Sequence, residues 1–173
     1  MGRDCRRQCL STPLSVLLAV ASIFYAGCVS LPAPSFPWRS PVDRAIQEDN
    51  IRESVFRYRM DQSRSGGPFF LNIDGKDPSD TFMARFAKAD RKVKKASQSY
   101  FRWDSSGGFL RDRSTDALGM SFSVSSISWL SPERVEVRGG MYCGALCADV
   151  GKYRLEKKDG QWTVIEYKVE MVS

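Results

Sequence analysis

Alternation with a period of two runs through the C-terminal part of the chain and leaves few folds open to it. Val135 and Val137 alternate with Arg134, Glu136 and Arg138; Tyr153 and Leu155 alternate with Arg154 and Glu156. Ile165, Tyr167, Val169 and Met171 then alternate with Glu166, Lys168 and Glu170. Successive side chains of a strand point to opposite faces. Each segment therefore has one apolar and one charged face, the pattern of an antiparallel sheet wet on one side. Phe122-Ser123-Val124 alternates in one parity and Ile127 with Trp129 in the other, which predicts a bulge at Ser125-Ser126. Ser131-Pro132-Glu133-Arg134 predicts a turn and Lys158-Asp159-Gly160 a hairpin connection, with Trp162 and Val164 opening the last strand.

Upstream the period changes to three and four. Ser40-Pro41-Val42-Asp43 predicts a helix start, serine as cap and proline in the first turn. Val42, Ala45, Ile46, Ile51, Val55, Phe56, Tyr58 and Met60 form one broad apolar face ending near Gln62, before Ser65-Gly66-Gly67. Arg52, Arg57, Arg59 and Arg64 are assigned to solvent. Phe69 to Ile73 reads as a short strand. Asp77-Pro78-Ser79-Asp80 predicts a second helix, capped by the same logic and ending near Lys88, with Phe82 and Phe86 turned inward. Val93 to Phe101 reads as a further strand. The expectation is one α+β domain over 41–173, a long and a short helix packed on a curved antiparallel sheet with a C-terminal meander. This element order is similar to that of the cystatin-like and nuclear transport factor two-like cones, an analogy that implies a helix lying in a curved sheet and no particular activity.

The N-terminus reads as an address. Arg3, Arg6 and Arg7 precede an apolar run from Leu14 to Ala26, shorter than the ~20 residues that cross a bilayer comfortably, and Ala26-Gly27 lead to Cys28. These are the parts of a secretory signal over 1–27. Tyr25-Ala26-Gly27-Cys28 resembles the lipobox of bacterial lipoproteins. The resemblance implies a diacylglycerol group on the Cys28 thiol, cleavage before it, and membrane lipid as the covalent partner. It places the domain at the cell membrane or outer membrane, facing the periplasm or exterior; Val29, not being aspartate, implies the outer membrane in a two-membrane bacterium. The same segment kept uncleaved would anchor the domain on the same side. Pro32, Pro34 and Pro37 make 28–40 an extended tether of ~3.1 Å per residue.

Function is bounded mainly by what is missing. The chain has no histidine, so serine–histidine and cysteine–histidine nucleophile schemes are excluded within it. Its net charge of +6 is dispersed, unlike the basic stripe of a nucleic-acid binder. Gly139-Gly140-Met141-Tyr142-Cys143-Gly144-Ala145-Leu146-Cys147, followed by the Tyr153 to Trp162 stretch YRLEKKDGQW, resembles a pattern in small exported bacterial proteins of unassigned function. The resemblance implies export and a disulfide. Once Cys5, Cys9 and Cys28 are set aside, Cys143 and Cys147 are the thiols that remain, and outside the cytoplasm such a pair oxidises. Redox use needs a Cys-x-x-Cys spacing, and zinc needs more ligands. Gly139, Gly140, Gly144 and Gly151 predict a loose loop around the pair.

Asp74, Asp77 and Asp80 fit turns and caps better than a calcium loop. The run Lys88, Arg91, Lys92, Lys94 and Lys95 fits a helix C-terminus better than a lipid-binding patch. Trp103, Trp129 and Trp162 are assigned to the core. No catalytic, cofactor-binding or metal-binding residue is identified. The expected function is a non-catalytic envelope lipoprotein that binds a protein or small ligand. The alternative is a carboxylate-based hydrolase, which needs two acidic side chains converging in a deep cleft.

Overall fold

The computed structural model describes residues 40–105 and 107–173; the signal, the tether and Cys28 lie outside them. Helix α1 spans Pro41–Gln62, and the Ser40 hydroxyl accepts a hydrogen bond from the Asp43 amide at its start. Ile51, Val55 and Phe56 are its buried residues. Val42 and Ile46, assigned by periodicity to the same face, are exposed. The helix meets the sheet only from Gln47 onward, where the amide oxygen accepts from Trp162 Nε1 and Lys157 Nζ.

The remaining elements are β1 (Phe69–Ile73), α2 (Asp80–Ala84), β2 (Val93–Lys95), β3 (Ser99–Asp104), β4 (Gly107–Asp112), β5 (Met120–Ser131), β6 (Arg134–Gly144), β7 (Cys147–Lys158) and β8 (Gln161–Val172). The strands form one open sheet in the order β2-β1-β5-β6-β7-β8, and the β3–β4 hairpin joins it at the end of β6. The fold is α+β. β5 to β8 form the expected antiparallel meander, with a register shift between Val124 and Ser126 where the parity change predicted a bulge. The Asp159-Gly160 connection has both residues at positive φ, the conformation a two-residue hairpin turn needs.

Several expectations are corrected. The sheet is not wholly antiparallel: β1 runs parallel to both β2 and β5. Phe69, Phe70 and Leu71 are buried consecutively, so neither face of β1 is wet and its pattern is a continuous apolar run. α2 is capped by Ser79 rather than Asp77, and it stops at Ala84 rather than near Lys88. Arg85 at its end reaches back to Asn50 and Glu53 on α1, while Asp77 instead accepts from the Ser97 amide. The single strand expected over Val93 to Phe101 is broken by a 3-10 turn at Ala96–Gln98. β4 carries no alternation in its Gly107-Gly108 start and was not anticipated.

The core lies between α1, α2 and the inner face of the sheet, where Phe56 packs edge-on against Phe82 and Phe86. Among the described residues one charged side chain is buried as deeply as the core. Asp112, at the end of β4, is 2% exposed. Its carboxylate accepts from Lys94 Nζ at 2.5 Å and from the Ser114 amide and hydroxyl at 2.8 Å. The pair fastens β2 to the β4–β5 connection. Burial alone would raise the Asp112 pKa; the Lys94 ammonium and the Ser114 donors outweigh it and hold the carboxyl well below the usual range. A carboxyl depressed in the native state contributes stability above its unfolded pKa of about 3.9 and loses it as pH falls toward the native value. Asp112→Asn strands the Lys94 charge, so urea unfolding at neutral pH should show a loss on the order of 3 kcal/mol. The variant's stability should also fall less steeply than the wild type's below about pH 4.

Candidate functional site

Two hairpin tips meet at one end of the sheet and present its most exposed aromatic surface. In the β3–β4 hairpin Phe101 stands opposite Leu110 and Trp103 opposite Gly108. Gly108 has no side chain to lift the rings: a Cβ there would sit 2.5 Å from Phe101 Cζ and 3.0 Å from Trp103 Cδ2. The indole lies across the ribbon and is 69% exposed, with its ring 5.5 Å from Phe101 in an edge-on arrangement. Tyr142 on β6 adds a third ring, 6.2 Å from Phe101. The second tip is the β6–β7 turn. Gly144 stands opposite Phe109, the Ala145 amide donates to the Gly108 carbonyl at 3.0 Å, and Leu146 at the turn is 91% exposed. A Cβ on Gly144 would approach the Gly108 carbonyl to 2.4 Å, so only glycine lets the tips join.

Cys143 and Cys147 form a disulfide across this turn, with their Cα atoms 5.3 Å apart. The loose loop expected here is instead strand on both sides, with Ala145 and Leu146 alone between β6 and β7. Gly139, Gly140 and Gly151 lie within the strands. There a Cβ would run into neighbouring backbone carbonyls, so glycine serves close strand approach rather than looseness.

The base of the second tip is clamped to α1. Arg59, expected in solvent, has a side chain only 11% exposed and pairs with Asp149 at 2.7 Å. The other Asp149 oxygen accepts from the Tyr167 hydroxyl at 2.6 Å, and the Tyr153 and Tyr167 rings stack with centroids 4.3 Å apart. Burial first, then the Asp149 carboxylate, pushes the Tyr167 hydroxyl up to about 12, so the phenol stays protonated and donating. Periodicity put Arg59 on the polar side of α1; nothing in its own neighbourhood announced a carboxylate ninety residues later.

On the opposite face of the β3–β4 ribbon the charges neutralise one another. Arg111 pairs with Asp104 at 2.8 Å and with Asp116 at 3.5 Å, Arg102 pairs with Asp116 at 3.1 Å, and the Tyr100 hydroxyl donates to Asp116. The Tyr100 hydrogen bond, followed by the two guanidinium groups, lowers the Asp116 pKa. Asp77 is likewise lowered, by Ser97. A carboxylate general acid needs a shift in the other direction; Asp77, Asp112 and Asp116 do not provide it.

No family model, curated protein or solved structure matches the chain.

The other sequence candidates are taken up in local structure. Asp74 sits in a turn at positive φ, and Asp80 pairs with Lys95. Among the described residues no three metal-ligating side chains gather. The basic run does not end a helix: Lys94 goes to Asp112, while Arg91 donates to the Ser65 carbonyl and lies over the Phe69 ring. A cleft of about 430 Å³ beside it, between α1 and the 88–91 segment, mixes Arg57, Lys88 and Arg91 with Asp61 and Asp90. Trp162 is buried as expected and packs edge-on to Trp129, but Trp103 is the reverse of a core residue. Its alternation with Arg102 and Asp104 was visible; which face of the hairpin met the core was not.

Because the disulfide closes so small a ring, it is worth ~2 kcal/mol in the chain-entropy model. Reduction of the disulfide should lower the thermal midpoint by about 6 °C. It should increase amide exchange at residues 143–148 while leaving β8 and β7 from Asp149 onward protected, as read by hydrogen-exchange mass spectrometry.

Proposed function

We propose that the chain is an envelope lipoprotein whose domain is a non-catalytic binding module. We assign its docking surface to the paired tips that carry Phe101, Trp103, Tyr142 and Leu146. The observation that carries the binding reading is the exposure of Trp103 and Leu146 on a rigid base. Aromatic side chains held in place bring large contact area at little entropic cost, which is why they dominate interface energetics. The partner that suits such a surface is a protein with a complementary apolar patch.

The anchor reading rests on the Tyr25-Ala26-Gly27-Cys28 sequence. Among the described residues no helix is long and apolar enough to cross a membrane. α1 first meets the sheet beside the β7–β8 turn, where Gln47 meets Lys157, whereas the tips lie at the other end of β7. A tether upstream of Ser40 would thus hold the domain by one end and present the tips at the other, a strand length of roughly 35 Å away. Kinship with the cystatin-like or nuclear transport factor two-like cones belongs to the same proposal. A long helix on the sheet's inner face supports it, while the parallel pairs of β1 depart from it.

Two measurements test these parts separately. Metabolic labelling with a fatty-acid analogue should mark the wild-type chain and not Cys28→Ser; label surviving the substitution rules out Cys28 as the attachment site. For the docking surface, a photo-crosslinking residue at Leu146 in intact cells should give a discrete adduct. One at Asp159, in the turn at the far end, should not. Trp103→Ser should reduce the Leu146 adduct about tenfold or more, as expected for a buried aromatic anchor. An adduct indifferent to Trp103 argues against the tips as the docking site.

A further inference from the structure

β8 is a long outer strand, paired among the described residues only with β7. Its partner register slips twice, between Arg154 and Leu155 and between Val150 and Gly151, leaving Ile165 and Glu170 as the extra residues. Bulges and charges blunt a sheet edge against indiscriminate pairing. Between the bulges Glu166, Tyr167, Lys168 and Val169 keep regular register, opposite Arg154, Tyr153, Lys152 and Gly151.

The charges of this outer face are matched, with one exception. Glu166 pairs with Arg154 at 3.1 Å, and Lys152 pairs with Glu136 at 3.0 Å and Glu170 at 3.8 Å. Arg138 also takes Glu170, at 3.5 Å. Lys168 stands directly opposite Lys152, a like-charge pair, and has no acidic partner among the described residues. Like charges directly opposed across a sheet are unfavourable. The free edge is therefore also the place where a cation lacks a counter-charge, and Ile165, Val169 and Met171 on the same strand are exposed.

We infer that β8 pairs edge to edge with β8 of a second copy of this chain, antiparallel, about a two-fold axis at Tyr167. In such a pairing the residue before the axis faces the residue after it. Lys168 of each copy then faces Glu166 of the other, twice over, and Ile165 lies beside Val169. The neighbouring registers are worse. An axis at Lys168 sets lysine against lysine. One at Val169 asks for Glu170, which already holds two cations, Arg138 and Lys152, whereas Glu166 holds one, Arg154. A foreign strand needs no such symmetry, whereas the glutamate–tyrosine–lysine order complements itself. This surface is distinct from the hairpin tips and does not depend on their role.

Charge reversal tests the register. Sedimentation velocity of the full chain in detergent should show dimer growing with protein concentration. Glu166→Lys makes both facing positions basic and Lys168→Glu makes both acidic. Either alone should weaken dimerisation about tenfold or more, with circular dichroism unchanged. Mixed in equal amounts, the two variants should form a heterodimer, because every facing pair is again opposite in sign. A wild-type chain that stays monomeric at all concentrations overturns the inference. So does a single variant that dimerises like wild type, or a mixture that stays monomeric.

Discussion

Arg59 gathers four elements around one guanidinium. It leaves α1, bonds Asp149 at the start of β7, and lies over the rings of Phe122 on β5 and Tyr167 on β8. A buried ion pair gives little net stability against an apolar replacement, because both charges lose water. What it contributes here is registration. Hydrophobic burial along α1 is non-directional and would tolerate some sliding of the helix along the sheet. A guanidinium that must meet one carboxylate tolerates much less. The helix is fixed at that end, and at the other by Gln47 holding Trp162 and Lys157.

That registration is what makes the hairpin tip usable as a surface. Asp149 lies two residues after Cys147, so the disulfide closes the turn while the Arg59 and Tyr167 bonds hold its root. The β3–β4 hairpin is attached at its tip through Phe109 opposite Gly144 and the Ala145–Gly108 hydrogen bond, and at its root through the Asp112–Lys94 pair. Its own stiffness comes from the salt-bridged face of Arg102, Asp104, Arg111 and Asp116. One face of the ribbon thus carries charges that satisfy one another, leaving the aromatic face as the side with unspent contact area. Preorganisation of this kind reduces the ordering cost that a partner would otherwise meet.

Much of the scaffold was legible in the chain because the signals were local. Ser40-Pro41 set the start of α1, the parity change near Ser125 marked the bulge, and Asp159-Gly160 marked the last hairpin. What was not legible depended on residues far apart. Arg59 looked like any solvent arginine until Asp149 arrived beside it. Trp103 looked like a core residue because its face is decided by how the hairpin docks, on Gly144 at its tip and Lys94 at its root, rather than by its own alternation. β1 was found as a strand, yet its direction relative to β5 came from the intervening chain. The continuous run Phe69-Phe70-Leu71 was a usable hint of burial on both faces.

The glycines of the Gly139–Gly151 stretch teach a more specific point. Read as a composition they imply freedom; placed in the sheet they imply closeness. At Gly140 a Cβ would lie 2.2 Å from the Asp149 carbonyl, and at Gly151 2.3 Å from that of Lys168. The strands there run nearer than side chains ordinarily permit, and the Tyr153 and Tyr167 rings lie close by, 3.3 Å from a Cβ on Gly139 and 2.8 Å from one on Gly151. The missing side chains and the stacked tyrosines are therefore two halves of one arrangement. Removing Cβ atoms from β6 and β7 opens room for large rings at the same place. Those rings in turn carry the hydroxyl that fixes Asp149, and through it the helix. The same exchange recurs at Gly108, where a missing Cβ lets Trp103 lie flat. Buried, it builds a clamp; at the tip, it builds the exposed platform. The chain thus uses glycine to seat aromatic rings both where they hold the fold together and where they face outward.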